Sequence, residues 1–311
     1  MLKFIGKRLV YAVVTLFLIT TATFFIVAGA PGDPIAVKVG QMPEQAQAII
    51  REKYGLDKPL VERYAIYMKD LITTGDFGES IIYTGKSAND VIKENVWVSV
   101  KIGLIGSVIP LGIGIGLGLI SALNRGKQVD NSIRFMVVLA ICIPSFVFAS
   151  LLQYFLAFKW KLVPVFGWGT WQHYILPVAA YSIGGIASYT KFMRASTLSV
   201  ISEDYITTAK AKGCSPVRTV RKHILRNSMI PIVTMIGPAL AGIFAGSFVI
   251  EKMFSIPGLG FYYVKAVSDN DYTMIIGLTI FFAILFVVSL IGVDILYGIV
   301  DPRIRVAKGN K

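Results

Sequence analysis

Six stretches of this chain are each long and apolar enough to cross a lipid bilayer, and that decides what it can fold into. A hydrocarbon core about 30 Å thick takes roughly 20 consecutive, mostly apolar residues in a helix. Within lipid, the backbone N–H and C=O groups must be satisfied inside the segment itself. The stretches are residues 9–28, 97–123, 133–158, 174–189, 229–250 and 274–300, the fourth being the shortest. Only 16% of the 311 residues are charged, against about 25% in soluble proteins, and the mean hydropathy is +0.66. The expected fold class is an all-α polytopic membrane protein with six transmembrane helices.

The formal charge of +13 would point to nucleic acid in a soluble protein. Here orientation accounts for it. The N-terminus, the loops after the second and fourth stretches and the C-terminal tail, together with Arg134 and Asp294 near the inner ends of their stretches, hold 18 Lys and Arg against 5 Asp and Glu. The opposite side holds 12 against 13, and Lys101 lies just inside the second stretch. Positive charge concentrates on the cytoplasmic side of membrane proteins, so both termini are expected in the cytoplasm. The first stretch follows Lys3, Lys7 and Arg8 and runs for about 20 residues. A signal-peptide core is shorter, roughly 7–15 residues, so a retained helix is expected despite the small residues Ala28-Gly29-Ala30. Cys142 in the third stretch and Cys214 in a cytoplasmic loop imply neither a disulfide nor a metal site.

The chain reads as one transmembrane domain, 1–311, without a low-complexity segment or visible repeat. Residues 1–28 form the tail and first span, 29–96 an extracytoplasmic segment, and 97–311 the core spans with a cytoplasmic loop at 191–227. The extracytoplasmic segment has turn signals at Pro31-Gly32-Asp33-Pro34 and Gly75-Asp76-Phe77-Gly78. Between them Asp57 is placed to cap a helix with Pro59 in its first turn. Leu60, Tyr64, Tyr67, Met68 and Leu71 follow at helical spacing. The nearly balanced charge predicts a small folded cap.

The cytoplasmic loop carries the most information. Ser202 is a good N-cap, Glu203 and Asp204 put negative charge in the first turn, and Lys210 and Lys212 lie in the last. Gly213 suits the left-handed position past a helix end. Ser215-Pro216 then starts a second helix bearing Arg218, Arg221, Lys222 and Arg226, which leads into the fifth span. The first helix offers a small-residue face (Thr208, Ala209, Ala211) with little to bury alone. It fits either a groove on another protein or the lipid interface, held there by basic residues and anionic headgroups.

Several patterns imitate chemistry. Ser80-Ile-Ile-Tyr-Thr-Gly85-Lys86-Ser87 looks like a phosphate-binding loop but has Ser in place of the first glycine and no strand–loop–helix context. Gly112, Gly114, Gly116 and Gly118 lie inside the second span, where the pairs 112/116 and 114/118 predict close helix packing. His173 and His223 fall on opposite sides, so no Ser/His/Asp or Cys/His constellation forms, and no metal or catalytic residue is expected. Among acids in or near the spans, Asp294 lies close enough to the inner interface to pair with a Lys or Arg, while Glu251 sits near an outer end. A secondary transporter would need buried acids near the midplane, and the chain offers almost none. A non-transporting membrane subunit is the other competing class.

The segment 203–231 (EDYITTAKAKGCSPVRTVRKHILRNSMIP) resembles the cytoplasmic signature loop of permeases in bacterial binding-protein-dependent ABC importers, peptide branch. Further matches follow in the same order and spacing. They are Pro31-Gly32-Asp33-Pro34, Tyr54 to Leu60, Gly75 to Gly78, Gly246 to Glu251, Phe254-Ser-Ile-Pro257-Gly258-Leu-Gly260 and Asp301-Pro-Arg303. They are similar to features of the first of the two permeases in such systems. The resemblance implies a type I importer permease fold in the bacterial plasma membrane. Its partners would be a second permease, two cytoplasmic ATPases that bind the ATP and Mg, and an extracytoplasmic binding protein. It implies a coupling helix at Glu203–Gly213 docking on an ATPase, with Glu203, Asp204, Tyr205, Thr208, Ala209, Ala211, Lys212 and Gly213 as its surface. The chain would then be no enzyme and would bind no cofactor itself. Peptide is the implied substrate, although nickel chelates, haem and oligosaccharides move through similar permeases. The wider family often has Glu-Ala-Ala where Thr207-Thr208-Ala209 stand, and it places Leu-Pro nearer the glycine than Ile230-Pro231.

Overall fold

The computed structural model describes residues 2–30, 43–233, 235 and 248–300, with side chains for all of these except 2–5, 46 and 294–300. Gly32, Asp33, Pro34, most of the fifth apolar stretch, the Asp294 side chain and the closing Asp301-Pro-Arg303 therefore lie outside the described residues. In chain order come α1 (Leu2–Ala28), α2 (Glu44–Lys53), α3 (Leu60–Thr73) and α4 (Ala88–Leu123). Next are α5 (Gln128–Cys142), α6 (Ser145–Leu152, continued by π-helical Gln153–Lys159), α7 (Gln172–Ile201) and α8 (Asp204–Ala211). The remainder are α9 (Pro216–Thr219, followed by π-helical Val220–Leu225), α10 (Arg226–Ser228), α11 (Phe248–Met253), α12 (Leu259–Ser268) and α13 (Tyr272–Val300). Among the described residues, extended pairing is limited to one isolated bridge, Glu79 with Ser87.

Among the described residues, three helices are long and apolar enough to cross a membrane, over residues 6–28, 88–123 and 272–293. A fourth span is reached only if α5 and α6 count together, and they are bent by 102° at their junction. The expected unbroken helix over 133–158 is thus corrected. Its cause is Pro144. The ring disfavours helical geometry for the residue before it, and Ile143 is extended (φ −86°, ψ 117°). The second half of the pair restarts with Pro144 as N-cap. α7 has 30 residues, about 45 Å at 1.5 Å per residue. It buries Ser182, Thr190 and Thr197 among its apolar residues, so polar groups dilute its hydropathy.

The chain divides into two compact units. The first comprises residues 1–100, 244–252 and 256–311. In it α1 packs along α13, and Phe24, Ile276 and Ile280 form a buried cluster covered by Tyr64, Tyr67 and Leu71 of α3. The Phe24 ring lies 5.4 Å from that of Tyr64 and 5.6 Å from that of Tyr67. The amphipathic helix expected in this segment is therefore α3, and its aromatic face is its packing face. Its start differs: Pro59 occupies the N-cap without any side-chain bond, so Asp57 caps nothing. A second cluster joins Ala88 and Val91 of α4 to Leu259, Ala266, Met274 and Leu278.

The second unit comprises residues 101–243 and 253–255. Here the glycines of α4 divide into two faces. A Cβ on Gly118 would sit 2.6 Å from Cβ of Met193 and 2.7 Å from the Thr190 carbonyl, and one on Gly114 would strike Tyr189. Gly106 approaches Tyr181, and Pro110 packs on Gly185. The close face is therefore 106/110/114/118, at four-residue spacing against α7. Gly112 and Gly116 have nothing of this chain within reach of an added Cβ, so within the chain the close packing is made by the 114/118 pair. A Gly118→Ile change should cost about 1–3 kcal/mol through overpacking, read as a lower melting temperature in detergent. Gly116→Ala should leave it nearly unchanged.

Candidate functional site

The loop between α7 and α10 builds the expected short helix, with one shift at its start. Ser202 closes α7, its hydroxyl donating to the Ser199 carbonyl at 2.7 Å, and Glu203 (φ −75°, ψ 143°) holds the N-cap without a side-chain bond. The N-cap assigned to Ser202 is thereby corrected. The C-terminal end forms as the residues dictate. Gly213 adopts φ +78°, its N–H donates to the Lys210 carbonyl at 2.9 Å, and the Cys214 N–H donates to the Ala209 carbonyl at 3.2 Å. These two bonds are the glycine-terminated helix end that a left-handed residue permits. Ser215 caps the next helix by accepting the Arg218 N–H, with Pro216 in the first turn.

Burial then sorts the faces of α8. Ile206 and Ala209 are buried within the chain, and α8 packs on α9. Asp204, Tyr205, Thr208, Ala211, Lys212 and Gly213 are exposed. Ala209, expected on the presented small-residue face, instead anchors the helix to its own chain.

Close to this loop in sequence lies a charged lock that sequence reasoning missed. Asp130, 1% exposed, takes both Arg194 Nε and Nη2 at 2.8 Å. It also accepts the Ser121 hydroxyl at 2.6 Å and the Gly126 N–H at 3.0 Å. Four charge-assisted bonds satisfy the carboxylate and tie the α4–α5 turn to α7.

A third constellation gathers Glu251, Gly258 and Gly260. Glu251 is fully buried, and its Oε2 accepts from the Gly260 N–H at 2.8 Å, the Phe261 N–H at 3.3 Å and the Ser99 hydroxyl at 3.1 Å. Ser99 in turn accepts the Leu259 N–H at 2.8 Å. The first three donors of α12 are thus capped from a distance, because its N-cap, Gly258, has no side chain. A Cβ on Gly258 would run into both Glu251 Oε2 and Ser99 Oγ. Pro257 lies at the same turn, half-buried.

The phosphate-loop imitation is structural. The Ser80 hydroxyl donates to Asp271 and accepts the Tyr83 N–H at 2.7 Å, and Tyr54 donates to the Ser80 carbonyl at 2.8 Å. Asp271 also accepts the Ile81 N–H at 3.2 Å and the Met274 N–H of α13. Burial, and then its bond to Asp269, pushes the Tyr83 phenol up from its ordinary value. Among the described residues no group of three His, Cys, Asp or Glu side chains is placed to hold a metal.

Residues 114–306 match the family described as binding-protein-dependent transport system inner membrane component, and residues 1–97 match the N-terminal part of such components. The chain belongs to this family. It is a multi-pass protein of the bacterial inner membrane. The chain is 39% identical over 308 residues to the dipeptide transport system permease protein of Bacillus subtilis, covering 99% of both. It is 41% identical over 305 residues to the dipeptide permease protein of Lactococcus lactis, covering 98% of this chain and 100% of that one. It is 36% identical over 307 residues to the oligopeptide transport system permease protein of Escherichia coli K12, covering 98% of this chain and 100% of that one. As a family member it is a permease component.

Proposed function

We propose that this chain is one of two permeases in an ATP-driven peptide importer and that α8 transmits the motion of a cytoplasmic ATPase to the membrane helices. The observation that carries the peptide reading is full-length similarity to proteins named as dipeptide and oligopeptide permeases. A second permease completes the path, two ATPases bind below and an extracytoplasmic binding protein delivers substrate. ATP chemistry resides in the ATPases, and this chain is not itself an enzyme.

The build of α8 supports its docking role. Ile206 and Ala209 fix it to the chain, while Tyr205, Thr208 and Lys212 form an exposed stripe at helical spacing. A helix held on one face and open on the other can pass force between two bodies.

Peptide uptake by a host relying on this importer tests the proposal. Thr208→Arg, on the exposed stripe, should reduce uptake at least tenfold, since about 1.4 kcal/mol of lost docking is a factor of ten. The chain should still insert at its normal level. Gly213→Val, which forces a β-branched residue to φ +78°, should act in the same direction by displacing the helix end. Normal peptide uptake in both variants would contradict the docking role of α8.

A further inference from the structure

The helical run after α8 carries a basic face whose residues are not used by any lock described above. Arg221, Lys222, His223, Arg226, Asn227 and Ile230 line an open cavity of about 870 Å³, with no acidic residue among them. Arg221, Lys222 and Arg226 are exposed, and none of the three forms an ion pair with a described residue. The apolar surface begins on the same side. Lys222, Arg226 and Ile230 recur at four-residue intervals, Ile230 is 63% exposed and Val233 follows at 39%. Cations followed within one turn by exposed aliphatic residues, where a helix enters the apolar part of the chain, match the two ends of one ligand.

We infer that this face binds an anionic phospholipid, its phosphate held by Arg221, Lys222 and Arg226 and its acyl chain lying along Ile230 and Val233. Guanidinium groups suit phosphate oxygens, and basic clusters beside membrane helices attract anionic headgroups. An acidic protein surface would satisfy the cations but would leave Ile230 and Val233 uncovered. The inference needs only membrane residence and is independent of ATPase coupling.

The test uses the full chain purified alone into nanodiscs of phosphatidylcholine, with or without phosphatidylglycerol, and follows amine labelling of Lys222. Phosphatidylglycerol should slow Lys222 labelling several-fold relative to phosphatidylcholine alone, and inorganic phosphate added to the phosphatidylcholine discs should not. Native mass spectrometry should show that the triple change Arg221→Gln, Lys222→Gln, Arg226→Gln lowers phosphatidylglycerol retention by roughly tenfold or more. The charge-preserving Lys222→Arg variant should retain it. Equal labelling of Lys222 in the two lipids would overturn the inference, as would protection by free phosphate or protection that appears only when ATPase subunits are added.

Discussion

Glu251→Ala should lower the stability of the chain in detergent by about 3–5 kcal/mol, the largest effect expected of any single change discussed. The carboxylate is fully buried and accepts two N–H groups of α12 and the Ser99 hydroxyl. Removing it leaves these buried donors without an acceptor, at about 1–3 kcal/mol for each buried orphan. Glu251→Gln keeps an acceptor oxygen in place and should cost much less than Glu251→Ala. Gly258→Ala should resemble Glu251→Ala, since its methyl group would occupy the space where Glu251 and Ser99 meet. A thermal melt of the purified chain separates the cases. A glutamine variant as unstable as the alanine variant would show that charge, not capping, is what the site requires.

Asp130→Ala should cost about 2–4 kcal/mol. Breaking a buried ion pair by removing one partner typically costs about 3–5 kcal/mol, and the 22% exposure of the Arg194 side chain reduces the penalty here. The variant also frees the Ser121 hydroxyl and the Gly126 N–H. Adding Arg194→Ala should recover part of the loss, because the double variant no longer leaves an unpaired guanidinium. A double variant as unstable as the sum of the single ones would mean that the two side chains do not act as a pair.

What the sequence made legible was local. Gly213 and Ser215-Pro216 end one helix and start another through bonds spanning at most five residues, so residue type alone determines them. Ser202 and Asp57 were also good local caps, but the preceding α7 captured Ser202 for its own C-terminus and α3 began after Pro59. Pro144 was a readable break in the third apolar stretch, hidden by continuous hydrophobicity on both sides. The glycine run of α4 revealed a packing helix but not which of two equivalent faces packs. Only Tyr189 and Met193 on α7 select 114/118 over 112/116. Ala209 shows the same limit, since a small residue on a short helix reads equally as anchor or as presented surface.

The three locks were beyond sequence reading because their partners are remote. Asp130 meets Arg194 64 residues away, Ser99 meets Glu251 152 residues away and Ser80 meets Asp271 191 residues away. Glu251 and Gly258 were visible as parts of a family pattern, but why glycine follows the acid emerges only from the capping geometry. Burial of acids that sequence alone places at helix ends is the physical signal that joins them.

Co-purification from the native host in mild detergent, with stoichiometry read from the native mass, decides whether the chain works as one permease of an ATP-driven importer. The expected result is an assembly of this chain with one other permease and two ATPase subunits. Recovery of the chain alone, or as a homo-oligomer without any ATPase, would contradict it.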